Sequence, residues 1–310
     1  MLSRVAENVY WMARYIERAE DTARLINSMT NLLLDMPRNA EVGWYELTKV
    51  IGAEEQFDEL HPDKQDERTV MHFLICDTRN LSSIAAYIKA ARENGRVTRD
   101  IIPNEVWEQL NELYHYTQER AKSSIGRRKR DDFMRGLIRR CQTMTGILMG
   151  VLTHDAGYYF LRLGRNLERA DMSSRIIDVA AANLLVDQET QIPAYATVRW
   201  INVLKSLNAF QAYRLQGHIG VRGPYVLDYL FHEITFPRSM AHCLDAVAEC
   251  LKHLPNPRVP RRYLNKAKKH LEDVKTPRLS RKALHQFIDD FQVELGSLHT
   301  AIADSYFRSE

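Results

Sequence analysis

The sequence predicts an all-α protein: about twelve helices in two tandem pseudo-repeats that form one bundle-like domain. Three observations carry this expectation. The chain has only 13 Gly and 10 Pro in 310 residues, too few for the turn-dense punctuation of a β protein. Apolar residues near the amino terminus recur at alternating spacings of three and four, the period of one helix face. The same pattern returns 151 residues later.

The first helix is read from Leu2, Val5, Val9, Met12, Ile16, Ala19, Ala23, Ile26 and Leu33, a stripe of about nine turns at 3.6 residues per turn. Shifted by 151, it becomes Ala156, Phe160, Leu163, Leu167, Ala170, Ser174, Ile177 and Leu184. The polar positions match as well: Arg14 with Arg165, Glu17 with Glu168, Arg18 with Arg169, Glu20 with Asp171, and Arg24 with Arg175. Further on the offset is 156, pairing Pro37 with Pro193, Val42 with Val198, Trp44 with Trp200, Lys49 with Lys205, Ala53 with Ala209, Asp77 with Glu233 and Ser83 with Ser239. A single gap reconciles all of them, which marks an internal repeat. Residues 1–150 are the first helical unit and 151–310 the second, expected to share one core.

Each unit then holds a long first helix, a second helix bearing Trp44 or Trp200, and a short apolar third ending near Asp77 or Glu233. A fourth starts near Asn80 or Pro237, since a proline at the first position of a helix loses no hydrogen bond. Further helices are expected over 103–124, 129–151 and 278–306. Breaks are expected at 61–66, 124–131, 217–224 and 254–262, with the helix over 155–187 continuing straight from the apolar run at 146–152.

Charge and cysteines narrow the function classes. The formal net charge is +3, from 43 basic and 40 acidic side chains, so no global field recruits nucleic acid or anionic lipid. Cys76, Cys141, Cys243 and Cys250 form no Cys-x-x-Cys pair and read as buried thiols. No segment approaches the roughly 20 apolar residues of a membrane span, and the amino terminus lacks the apolar run of a signal peptide. A cytoplasmic protein without membrane attachment is expected.

The candidate site is the charged sector opposite the apolar stripe. Arg14, Glu17, Arg18 and Arg24 project within roughly 120° on a helix. Glu20 with Arg24, and Asp171 with Arg175, are acid-before-base pairs at i, i+4, each supporting a helix by about 0.2–0.5 kcal/mol. The like-charge pairs Arg14/Arg18 and Arg165/Arg169 are not explained that way, because such neighbours repel. Two readings stand. In one, a structural ion-pair network neutralises them, with Asp77 and Glu233 as candidate counter-charges. In the other, the arginine forks hold an anionic ligand.

Other patterns are weaker. Glu112-Leu-Tyr-His115 has the spacing of a di-iron carboxylate motif but no second copy, so no metal is assigned, and no cofactor is implied. Gly-x-Ser-x-Gly and Walker signatures are absent. The glycines at 217, 220 and 223 have the wrong spacing for a dinucleotide loop. The basic run Arg127-Arg128-Lys129-Arg130 is interrupted by Asp131-Asp132 and has no interleaved aromatics, so it reads as a solvated helix start and nucleic acid is not favoured as a partner.

Leu2-Ser-Arg-Val-Ala-Glu-Asn-Val-Tyr-Trp-Met-Ala-Arg-Tyr-Ile-Glu-Arg-Ala-Glu-Asp-Thr-Ala-Arg resembles the opening of the alpha-E family, a bacterial domain of unknown function. The resemblance continues through Asn80-Leu-Ser-Ser-Ile, Ala91-Arg-Glu-Asn-Gly-Arg, Leu163-Gly-Arg-Asn-Leu-Glu-Arg-Ala-Asp and Phe236-Pro-Arg-Ser. Leu81 stands where the family has proline, and Gly95 where alanine is usual. The resemblance implies a setting beside a circularly permuted ATP-grasp protein, often with a transglutaminase-like protease and sometimes a proteasome-like hydrolase. ATP-grasp enzymes join carboxylates to amines through acyl phosphates, so it implies service in peptide synthesis or modification. The family's charged motif falls on Arg14, Glu17, Arg18, Glu20 and Arg24, and on Arg165, Glu168, Arg169, Asp171 and Arg175.

The expectation is a non-catalytic or ligand-binding component that holds a carboxylate-bearing peptide, or the ATP-grasp ligase itself, on these Arg/Glu-rich helix faces. The alternative is an enzyme acting on that peptide, with Glu17 or Glu168 as the acid-base group and the arginines orienting a carboxylate.

Overall fold

A computed structural model describes residues 2–35, 43–184, 193–217 and 220–308. Over these residues the chain forms fourteen α-helices and two short 3-10 turns, and no strand. By chain contacts it divides into two units. The first comprises Met1–Asn27, Gly43–Glu168 and Tyr306–Glu310, and the second Ser28–Val42 and Arg169–Ser305. These units are drawn across the expected 150/151 boundary because α1 (Ser3–Asp35) and α8 (Ala156–Leu184), the two long helices, each contribute to both.

In the first unit α1 is followed by α2 (Glu46–Val50), α3 (Glu54–Leu60), α4 (Glu67–Ile75), α5 (Ile84–Val97), α6 (Asn104–Arg120) and α7 (Arg127–Val151). The α1 stripe is buried as the periodicity requires: Val9, Met12, Ile16, Ala19, Ala23 and Ile26 are at most 5% exposed. Its charged side is buried too. Glu17, Glu20, Asp21 and Thr22 are 4% exposed or less, so α1 is an interior helix in which polar groups need partners. The amino-terminal half of α8 approaches α1 closely at Gly164, where a Cβ would clash with the Tyr10 carbonyl oxygen. Glycine is the residue that lets two backbones come this near.

In the second unit the rest of α8 leads to α9 (Pro193–Ser206), α10 (Phe210–Leu215), α11 (Gly223–His232), α12 (Met240–Lys252), α13 (Arg258–Asp273) and α14 (Arg281–Tyr306). Helix starts recur at one offset: Glu54 and Phe210, Glu67 and Gly223, and Ile84 and Met240 are each 156 apart. The turn before α3 uses Gly52 at φ 65°, and the turn before α10 uses Asn208 at φ 54°, again 156 residues on, in a left-handed conformation that Gly and Asn tolerate best.

Several expected boundaries are corrected. The fourth helices start at Ile84 and Met240, not at Asn80 and Pro237, because Ser83 and Ser239 supply the caps: each side chain accepts a hydrogen bond from the N–H three residues on, Ala86 or His242. Asn80 instead ties the turn, donating to the Phe73 carbonyl (2.9 Å) and accepting from the Ser82 N–H (2.8 Å). The apolar run at 146–152 does not run on into α8. The chain breaks after Val151, and Asp155 starts a new helix by accepting from the Gly157 and Tyr158 N–H groups at 2.8 and 3.3 Å. The expected helix over 103–124 ends at Arg120 and is followed by a 3-10 turn, Lys122–Ser124.

Trp44 lies in the turn before α2 and not in a helix, whereas Trp200 lies within α9. Both are buried, at 9% and 5% exposure. Trp44 carries the Arg130 guanidinium over its ring at 4.9 Å, while Trp200 packs where a Cβ on Gly223 would sit. Pro37 and Val42 of the repeat lie outside the described residues. No described helix is long and apolar enough to cross a membrane.

Candidate functional site

The charged sectors of α1 and α8 meet in the first unit. Arg14 donates its Nε–H to Glu168 Oε2 at 2.6 Å, and Arg18 donates its Nε–H to the other oxygen, Oε1. The two arginines sit one turn apart on α1, which aims both guanidiniums at one carboxylate. Glu168 is fully buried, and Arg14 is 7% exposed. Aromatic rings wall the cluster. Arg14 lies 4.8 Å from the Trp11 ring centroid and donates to the Tyr10 hydroxyl at 3.2 Å, and Arg18 lies 5.8 Å from the Tyr87 ring. Contacts of this kind stabilise a desolvated guanidinium by roughly 2 kcal/mol.

This geometry resolves the like-charge pair on α1. The counter-charge is Glu168 and not Asp77, whose oxygens are engaged elsewhere: Arg79 donates to both, at 3.1 and 2.7 Å, and His61 lies at 3.3 Å. The Arg79 hydrogen bonds hold the Asp77 carboxyl well below the usual carboxylate range. Glu233 accepts from the Thr235 N–H at 2.8 Å and from its hydroxyl at 2.5 Å, shaping the turn after α11.

The remaining members of the sector are distributed. Glu20 accepts two hydrogen bonds from Arg24, at 2.9 and 2.7 Å, and Asp171 accepts from Arg175 at 3.0 Å; both are the within-helix pairs read from spacing. Glu17 is 1% exposed, and its charge together with that of Glu20 adds to the effect of burial in raising the Cys141 thiol pKa. Arg165 reaches Met149 Sδ at 3.7 Å. Arg169, in the second unit, donates to the Pro237 carbonyl at 3.4 Å.

Electrostatics fix the protonation state of the cluster. Burial alone would raise the Glu168 pKa, but the charges of Arg14 and Arg18 and their hydrogen bonds outweigh it and hold the carboxyl below its ordinary value of 4.5. Burial likewise raises the Tyr10 pKa, against the pull of Arg14. The result is an ionised carboxylate clamped by two guanidiniums, with both oxygens occupied.

Sequence reasoning missed one grouping. Asp178 on α8 and His285 and Asp289 on α14 each place a ligand atom within 4.8 Å of the others, the one group of metal-ligand type among the described residues. The imidazole already uses both nitrogens there, Nδ1 at 2.8 Å from Asp178 and Nε2 at 3.5 Å from Asp289. A protonated ring satisfies both carboxylates without an ion, and the Asp178 hydrogen bond raises the His285 pKa accordingly. Only the i, i+4 pair His285/Asp289 was visible beforehand, since Asp178 is 107 residues away. The Glu112-x-x-His115 spacing brings no ligand set together among the described residues; Glu112 pairs with Arg140 at 3.0 Å.

A family model described as "a predicted alpha-helical domain with a conserved ER motif" matches residues 1–307. The chain has two Glu-Arg steps on these helices, Glu17-Arg18 and Glu168-Arg169. No curated protein and no solved structure matches the chain.

Proposed function

The chain belongs to the alpha-E family, and from that premise we propose that it is a non-catalytic component of a peptide synthesis or modification system, working with an ATP-grasp amide ligase in the cytoplasm. Its two Glu-Arg helices then head two copies of one unit, a reading supported by helix starts that recur at an offset of 156 and by the serine cap shared by Ser83 and Ser239. The proposed partner is the circularly permuted ATP-grasp protein, and the proposed cargo is a carboxylate-bearing peptide.

The observation that carries the non-catalytic reading is the clamp on Glu168. A general base needs a free lone pair within reach of the proton it abstracts and a pKa near the working pH. Glu168 holds one arginine Nε–H on each oxygen, has no exposure through which a substrate proton could reach it, and has a pKa pushed downward, away from the working pH. Protonating it would break a buried ion pair with Arg14 and a partly buried one with Arg18, which costs several kcal/mol. The same geometry speaks against Glu168 as the acid-base group of an enzyme. The Glu-Arg motif then serves the interior of the fold, and the surfaces that meet peptide or ligase are exposed ones.

The test is co-expression with the ATP-grasp protein of the same organism, followed by size-exclusion chromatography and an amide-forming assay. Co-elution, with ligase turnover that rises when both proteins are present, is the expected result. Separate elution with unchanged turnover overturns the partner reading.

A further inference from the structure

A cavity of about 500 Å³ opens in the first unit, lined by Glu67, Arg68, Lys122, Ile125, Gly126 and Arg127. Its walls come from three places in the chain: the start of α4, the 3-10 turn after α6, and the start of α7. Three cations therefore face one carboxylate, although 59 residues of sequence separate Arg68 from Arg127. We propose that this cavity binds a phosphoryl group, the dianionic end of a small ligand.

The one acidic wall is already neutralised. Arg127 donates Nε to both Glu67 oxygens, at 2.8 and 2.9 Å, and Nη2 to one of them at 2.5 Å. Arg130 donates Nη2 to Glu67 at 2.5 Å. Two guanidiniums on one carboxylate leave a net positive charge, and among the described residues neither Arg68 nor Lys122 has a carboxylate within ion-pair distance to reduce it. Arg127 also keeps its Nη1 donor.

The site is built from beneath. Arg130 is 1% exposed, stacks over the Trp44 ring and holds two of the cavity's lining residues, Glu67 through the ion pair and Ile125 through its carbonyl at 3.3 Å. Its Nε–H is buried with no hydrogen-bond acceptor. Arg130 shares the single Glu67 carboxylate with Arg127, so the positive charge under this wall exceeds the negative, and an anion in the cavity offsets it.

The start of α7 adds donors of the same sign. Gly126 at its N-cap makes no side-chain cap, and its first turn, Arg-Arg-Lys-Arg, contains no acid. Cations at the positive end of a helix are unfavourable, and a phosphoryl group at such an end is favourable. Donors converging from three elements suit a tetrahedral oxyanion better than a planar carboxylate, and a dianion gains about twice the Coulomb energy of a monoanion. The volume is that of a small-molecule cleft, so the group arrives attached to a larger body that rests against Ile125. The inference does not depend on the ATP-grasp partner.

Isothermal titration of the full chain with inorganic phosphate, pyrophosphate and succinate, at constant ionic strength because exposed charges are screened by salt, tests it. Saturable binding of phosphate and pyrophosphate, tighter than succinate, is expected. Arg68→Gln and Lys122→Gln should each weaken it by about tenfold, the value of one charge-assisted hydrogen bond, while Lys269→Gln, on the exposed side of α13 and outside the lining, should leave it unchanged. Both substituted side chains are exposed, so unliganded melting temperatures should equal the parent's. Comparison of a mononucleotide with a phosphoserine peptide then identifies the body carrying the phosphate. Absence of saturable binding at millimolar phosphate, equal binding of succinate, or binding unaffected by both lining substitutions overturns the proposal.

Discussion

Glu168 is a buried carboxylate that answers two guanidiniums, the buried one of Arg14 and the partly exposed one of Arg18. Glu168→Gln keeps the shape but removes the charge that Arg14 and Arg18 share, and a loss of about 3–5 kcal/mol is expected from chemical denaturation. The pH dependence has a definite sign. A carboxyl whose folded pKa lies below its unfolded value contributes stability that is fully present above the unfolded value, here 4.5, and is lost as pH falls through the folded one. Parent stability should therefore fall on acidification below about pH 4.5, and Glu168→Gln should show a shallower fall over the same window. An equal acid limb in both proteins would mean that other carboxylates dominate. The recurrence of Arg14/Arg18 as Arg165/Arg169 was readable as a like-charge pair needing an opposite, so the chemistry was visible. The identity of the opposite was not, since Arg14 and Glu168 are 154 positions apart and spacing arguments reach only one or two turns.

At the scale of the helix, the periodic stripes of α1 and α8 located these elements well because apolar burial repeats every 3.6 residues over many turns. Ends were harder. Pro237 looked like a helix start, yet Ser239 does that work with the same geometry as Ser83: φ and ψ are −74° and 152° at Ser83, and −71° and 153° at Ser239. The cue is the serine that recurs at the 156 offset, two residues past the proline. Ser83→Ala and Ser239→Ala should each cost about 1 kcal/mol in the denaturation midpoint, with Ser→Gly costing only a few tenths. Near-equal costs at the two positions would support the repeat as a structural equivalence. A null effect at one and a full effect at the other would count against it. The start of α7 lies at Arg127, two residues before the expected 129, for a related reason: Arg127 and Arg130 look solvated in a basic run, and Glu67 and Trp44, both distant in sequence, make Arg130 an interior residue.

For the whole molecule, the sequence repeat and the compact units are different divisions of the same chain. The first unit takes Arg14 and Arg18 from the first 150 residues and Glu168 from beyond them, and it also takes Phe160, which packs on Tyr306 with ring centroids 5.2 Å apart. Pairing across more than a hundred residues must overcome the closure entropy of the intervening chain, so residues 1–150 and 151–310 are not expected to fold separately. A fragment ending at 150 retains the two arginines without their carboxylate and removes the part of α8 that touches Tyr10 at Gly164. Such a fragment should show helical circular dichroism but no cooperative thermal transition, the behaviour of a chain with local helices and incomplete packing. The complementary fragment from 151 strands the buried Glu168 in the same way. Mixed after co-expression, the two should regain one sharp transition, and Glu168→Gln in the second fragment should weaken that recovery. A cooperative transition in the isolated 1–150 fragment would instead make the first copy a domain in its own right, with the cross-copy clamp an addition to a core that folds without it.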